Sequence, residues 1–162
     1  MPSPSSRTTK SATDWQQRLR EQAFLQPGDE FDLVNHVSLA PAFPPEYDVP
    51  GLVAVTFRLF RRGDHLTFVT AIDPAAALRL GARLGLEPAE ALAMVDSHER
   101  MHVWLQLAGV AEEAEEEASR HIDAVWLSLR HPRAAHLVED REIALVSRVG
   151  PDFWERLVVE PE

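Results

Sequence analysis

Residues 52–72, LVAVTFRLFRRGDHLTFVTAI, decide the fold class of this 162-residue chain. Two runs rich in β-branched and aromatic residues, Leu52 to Phe60 and His65 to Ile72, flank Arg61-Arg62-Gly63-Asp64, a short turn containing glycine. Val53, Val55, Phe57 and Leu59 alternate with Ala54, Thr56 and Arg58, the period of two expected for a strand with unlike faces. The stretch therefore predicts a β-hairpin. If its outer strand borders a cleft, the free edge offers pairing to an extended peptide; Arg58, Arg61 and Arg62 would equally serve to protect that edge.

Helical signals follow. Asp73-Pro74 reads as cap and first-turn proline of a helix to about Leu84, with Gly85 as its stop. A second helix is expected from Pro88 to Leu107, ending at Gly109; its apolar residues, among them Met94, Val95, Met101 and Val103, fall on most faces, so it reads as buried. Ala111 to Leu129 and Arg133 to Arg148 are expected as further helices, with a short terminal piece from Pro151 to Leu157. Upstream, Phe31 to Leu39 offers a third strand, and Pro41 to Pro50 is a proline-rich loop carrying the only tyrosine, Tyr47. An amphipathic helix is expected from Ser11 or Thr13 to Leu25, with Trp15, Leu19 and Ala23 at helical spacing before Pro27-Gly28. Residues 1–12, rich in Ser, Thr and Pro, read as a poorly ordered tail, and 13–162 as one domain. A small antiparallel or mixed sheet, a hairpin packed on the second helix and helices thereafter make an α+β fold.

Composition narrows the function classes. A net charge of −10 argues against nucleic acid and anionic membranes as partners, since both call for a positive field. The chain has no Cys, so any metal would be held by His and carboxylate. No apolar signal segment and no stretch of membrane-spanning length occur, and a cytoplasmic protein is expected.

The second helix carries the chemistry. His98-Glu99-Arg100-Met101-His102 reads H-E-x-x-H; with 7 His and 16 Glu in 162 residues, chance supplies about 0.03 such windows. Side chains four apart lie on one helix face, so His98 and His102 can direct imidazole nitrogens at one ion, about 2.0–2.1 Å from each. Glu99, about 100° round the helix, falls beside the ion, where a base can take the proton of a metal-bound water. The spacing predicts one Zn2+ per chain.

Catalytic zinc takes a third protein ligand. The acidic run Glu112, Glu113, Glu115, Glu116 and Glu117 offers it, although most of such a run reads as a solvated face at a helix N-terminus. With Ala118, Ile122, Val125, Trp126 and Leu129 as the core stripe, Glu115 lies closest to the inner face; Glu117 lies deeper along the helix, nearer the level of His102. Both stand as candidate ligands, with His121 a third option.

An H-E-x-x-H helix followed by a helix donating a glutamate resembles the gluzincin metallopeptidases in a minimal, single-domain form. Glu115-Glu116-Glu117-Ala118, followed by Ile122 and an apolar run, is similar to the E-x-x-A pattern of the ImmA/IrrE-like peptidases. The resemblance covers about Leu52 to Leu129 and implies a zincin-like fold, zinc on His98 and His102, and Glu99 as general base. The E-x-x-x-D signature of many gluzincins is absent, because Ser119 stands four residues beyond Glu115 and His121 four beyond Glu117.

Other polar residues have plainer readings. His121 can hydrogen-bond a ligand or sit satisfied in the core; Asp96 can back His98 or face water; Tyr47 can reach a cleft from its loop; His131 and His136 flank Pro132 near a helix junction. Trp104, Trp126 and Trp154 read as core or rim anchors. The expected function is a zinc-dependent peptidase acting on a peptide or protein. The alternatives are a protein of this fold that binds metal or peptide without turnover, in regulation or linked to a toxin or antitoxin, and a helical interaction protein in which the motif is accidental.

Overall fold

The computed structural model describes residues 32–39, 43, 45–47, 49–107, 110–138, 143–149, 153 and 158–161. The hairpin runs form β2 (Ala54–Arg62) and β3 (His65–Ile72), antiparallel as expected, and the third strand is β1 (Asp32–Ser38), parallel to β3. Three helices follow among the described residues: α1 (Pro74–Leu84), α2 (Pro88–Leu107) and α3 (Glu112–Arg130). Two short strands, β4 (Ser147–Val149) and β5 (Val158–Val159), run parallel to β2 at its outer edge. The sheet order β1-β3-β2-β4, with β5 further along β2, makes a mixed five-stranded sheet in an α+β fold.

Both outer edges of the hairpin are therefore covered, β3 by β1 and β2 by β4 and β5, which corrects the expectation of a free strand edge. The expected helix from Arg133 to Arg148 is corrected too. Its place is taken by a 3-10 turn at Ala135–Leu137 and by β4. Helix propensity in that stretch loses to the unpaired edge of β2, which gains ladder partners from β4 and a bond from Val53 N–H to the Val146 carbonyl, 2.8 Å. The tail, the helix expected to run to Leu25 and, apart from Phe153, the piece from Pro151 to Leu157 lie outside the described residues. No helix among the described residues is long and apolar enough to cross a membrane.

A register shift between Thr56 and Arg58 breaks the simple alternation of β2. Phe57 is the extra residue of a bulge, so Leu59 moves to the side of Thr56 rather than that of Val55. One face of the sheet carries Ala54 and Ile72 into the main core with Leu80, Leu84, Met94, Val95 and Leu127 of the helices. The other packs Val55 and Ala71 with Leu52, Phe57 and Tyr47. Tyr47 is thus a buried residue of the second core, and the pocket it lines includes none of His98, Glu99 and His102.

Helix ends follow their capping chemistry. Asp73 Oδ1 accepts from Ala75 and Ala76 N–H, and α1 ends where Gly85 takes a left-handed conformation (φ 73°) and Leu86 N–H reaches the Gly81 carbonyl, 2.8 Å. Glu90 accepts from Glu87 N–H, 3.2 Å, at the start of α2. Gly81 also sets the crossing of α1 on α2, since a Cβ there would lie 2.4 Å from the Ala91 Cβ. Gly81→Ala should destabilise the fold by about 1–3 kcal/mol through overpacking, in spite of its better helix propensity. Urea denaturation checks this; an unchanged or raised midpoint would contradict the close approach.

Candidate functional site

Helix α2 lies beneath the sheet with α3 beside it, and the H-E-x-x-H residues fall where the three meet. His98, Glu99 and His102 are all buried, Glu99 completely. The histidines stand one above the other, and their Nε2 atoms face each other at 2.9 Å. Each remaining ring nitrogen meets a carboxylate of α3: His98 Nδ1 is 2.6 Å from Asp123 Oδ2, and His102 Nδ1 is 2.6 Å from Glu115 Oε1.

This pairing fixes the ring chemistry. With the carboxylates accepting, a hydrogen on each Nδ1 leaves each Nε2 a lone pair toward the other. Two lone pairs do not rest at 2.9 Å without a positive centre. A proton shared between the nitrogens supplies one, and so does a metal cation. Two ligands about 2.0–2.1 Å from one tetrahedral ion stand roughly 3.3–3.4 Å apart, so the two nitrogens, at an ordinary N–H···N distance, would have to part slightly to share a metal. Carboxylates bonded to the far nitrogens are also what orients metal-ligating histidines.

Burial alone pushes the His102 imidazole down, but its hydrogen bond to Glu115 and the charges of Glu99, Glu115 and Asp123 outweigh that effect and hold it above its ordinary 6.5. A folded-state value above the unfolded one adds stability that is complete below the unfolded pKa and is lost as pH rises through the folded one. The metal-free protein should therefore lose stability as pH rises above about 6.5, and His102→Gln should reduce that slope, as thermal denaturation in chelator at a series of pH values would show. Equal pH slopes for wild type and variant would contradict this account.

Glu99 belongs to a second network, reaching from α2 into the sheet. Thr56 Oγ1 donates to Glu99 Oε2 at 2.7 Å and lies 3.0 Å from Thr70 Oγ1, its cross-strand neighbour. Thr70 donates to Asn35 Oδ1 of β1 at 2.9 Å, and Asn35 Nδ2 donates to Asp96 Oδ1. Asp96, expected near His98 or in water, instead joins the sheet to α2 and accepts from exposed Arg100, 3.3 Å. Glu99 Oε1 is buried without a hydrogen-bond partner among the described residues.

The structure separates the candidates for a third ligand. Glu115 is in the site but bonds the other nitrogen of His102, and Glu117, two residues further round α3, is exposed. His121 is exposed as well, His131 pairs with Glu90 at 3.2 Å and His136 faces solvent. Among the described residues no three His, Asp or Glu side chains are arranged to hold a metal ion. The core stripe expected for α3 is rotated: Glu115, Ser119, Asp123 and Leu127 are buried, whereas Ile122, Val125 and Leu129 are exposed. Asp123 was legible in principle, since it shares the four-residue spacing of Glu115 and Ser119. Asn35, Thr56, Thr70 and Ser147 reach the site only through tertiary contacts. Ser147 Oγ of β4 lies 3.0 Å from His102 Nε2. In comparisons with known proteins the chain matches no family model, no curated protein and no solved structure.

Proposed function

We propose that this chain is a small zinc-dependent peptidase of zincin-like architecture, with one ion held by His98 and His102 and with Glu99 as the base. The observation that carries this reading is the opposition of two Nε2 atoms at 2.9 Å, each ring backed by a carboxylate on Nδ1. Bound there, zinc supplies a Lewis acid that polarises a peptide carbonyl and acidifies water. Glu99 does the proton work. Thr56 holds its Oε2, leaving Oε1 to take a proton from the attacking water and return it to the departing amine. Asp123 and Glu115 keep both imidazoles in the tautomer that presents Nε2.

Incubation with a peptide library tests the reading. Wild type should cleave, chelator should stop the cleavage and zinc restore it, and Glu99→Gln should keep the metal but lose the activity. Zinc-loaded protein without cleavage would overturn the peptidase assignment. It would favour metal or peptide binding without turnover, a reading supported by the lack of a third His, Asp or Glu facing the Nε2 pair among the described residues.

A further inference from the structure

We propose that the cleft between α1 and the segment leading into β2 binds an amphipathic carboxylate, away from the histidine site and without any metal. The cleft has a volume of about 740 Å³, within the usual size range of small-molecule sites. Tyr47, Leu52, Val53, Leu80 and Val146 give it an apolar wall, and Arg79 and Arg83 join them from α1. The two arginines are four residues apart, so they rise from one helix face, one turn from each other. Both are exposed, and Arg79 has no hydrogen-bond or ion-pair partner among the described residues. Asp73 also lines the cleft, but at the opposite end of α1, where its Oδ1 is already held by the Ala75 and Ala76 N–H groups. From Asp73 to Arg83 the helix axis covers about 15 Å. The cleft is therefore polarised along α1, positive toward Arg83 and negative at Asp73. An acid head group finds donors only at the arginine end, because Asp73 repels it from the other, and an apolar body then lies along the wall. Guanidinium groups match the planar, two-oxygen geometry of a carboxylate. In a chain of net charge −10, this pair of cations beside an apolar hollow is a local reversal of the field.

Calorimetric titration with decanoate, below the concentration at which it forms micelles, tests this. Decanoate should bind at one site per chain. Decanol, with the same chain and no charge, should bind at least about tenfold more weakly, the worth of a hydrogen bond to a charged group. Arg79→Gln combined with Arg83→Gln should bring decanoate down to the level of decanol and leave decanol unchanged. Arg133→Gln, exposed and outside the cleft, should change neither. Both cleft arginines are exposed, so the double variant should keep its fold, and urea denaturation checks that it does. Equal binding of decanoate and decanol by wild type would overturn the proposal, leaving an apolar hollow that does not recognise an acid. Decanoate binding that survives the double variant, or no binding of either probe, would overturn it too. Because the titration is run in chelator, its outcome does not depend on the zinc reading.

Discussion

Glu99→Met should make the metal-free protein more stable while removing any hydrolysis. Glu99 is fully buried, and its Oε1 has no hydrogen-bond partner among the described residues. A buried acceptor left unpaired costs about 1–3 kcal/mol, and a straight-chain apolar residue of similar length removes that cost with little change in packing. Thr56 loses one acceptor but keeps Thr70. For a chain of this size the gain corresponds to roughly 3–10 °C in melting temperature. Thermal denaturation in chelator measures it directly at high pH, where the Glu99 charge no longer stabilises a proton on His102. A lower melting temperature would mean that Glu99 serves the fold, not a reaction.

Asp123→Ala should do the opposite, on two readouts. It removes the acceptor of a buried His98 Nδ1–H, for an expected loss of about 1–3 kcal/mol in the metal-free protein. It also frees the ring to rotate and change tautomer, which should weaken zinc binding by about 10–100-fold. Asp123→Asn, which keeps an oxygen acceptor, should fall between the two. Glu117→Ala, on the exposed face of the same helix, should leave stability and zinc binding unchanged. Competition titration against a zinc-sensitive dye, paired with urea denaturation, covers both readouts. Equal zinc affinity in Asp123→Ala and wild type would show that the carboxylate does not orient a ligand.

These effects trace to the places where the sequence was hardest to read. The hairpin, α1 and α2 were legible because each carries its own local signals: alternation with a Gly-containing turn, Asp73-Pro74 with Gly85, and Pro88 with a helix-forming body. Helix α3 was legible in extent but not in facing. Its buried residues are Glu115, Ser119 and Asp123, while Ile122, Val125 and Leu129 face outward, so a rule that turns apolar residues inward points the wrong way. Polar residues face inward there because two histidines on α2 need carboxylates, and such local inconsistency is expected at a functional site. Thr56 and Thr70 look in sequence like ordinary strand residues, and Asn35 like a polar interruption; only the pairing of three strands brings them to Glu99. Ser147 was hidden most completely, since its segment was expected to be helical and becomes a strand through contact with β2.

The central claim is that His98 and His102 together hold one metal ion. Elemental analysis of the protein, purified without added zinc and then dialysed against a trace of it, tests that claim most directly. The account predicts about one zinc per chain in wild type and in Glu99→Gln, and none in His98→Ala or His102→Ala. A folded wild type that takes up no zinc, or alanine variants that bind it as well as wild type, would contradict the account.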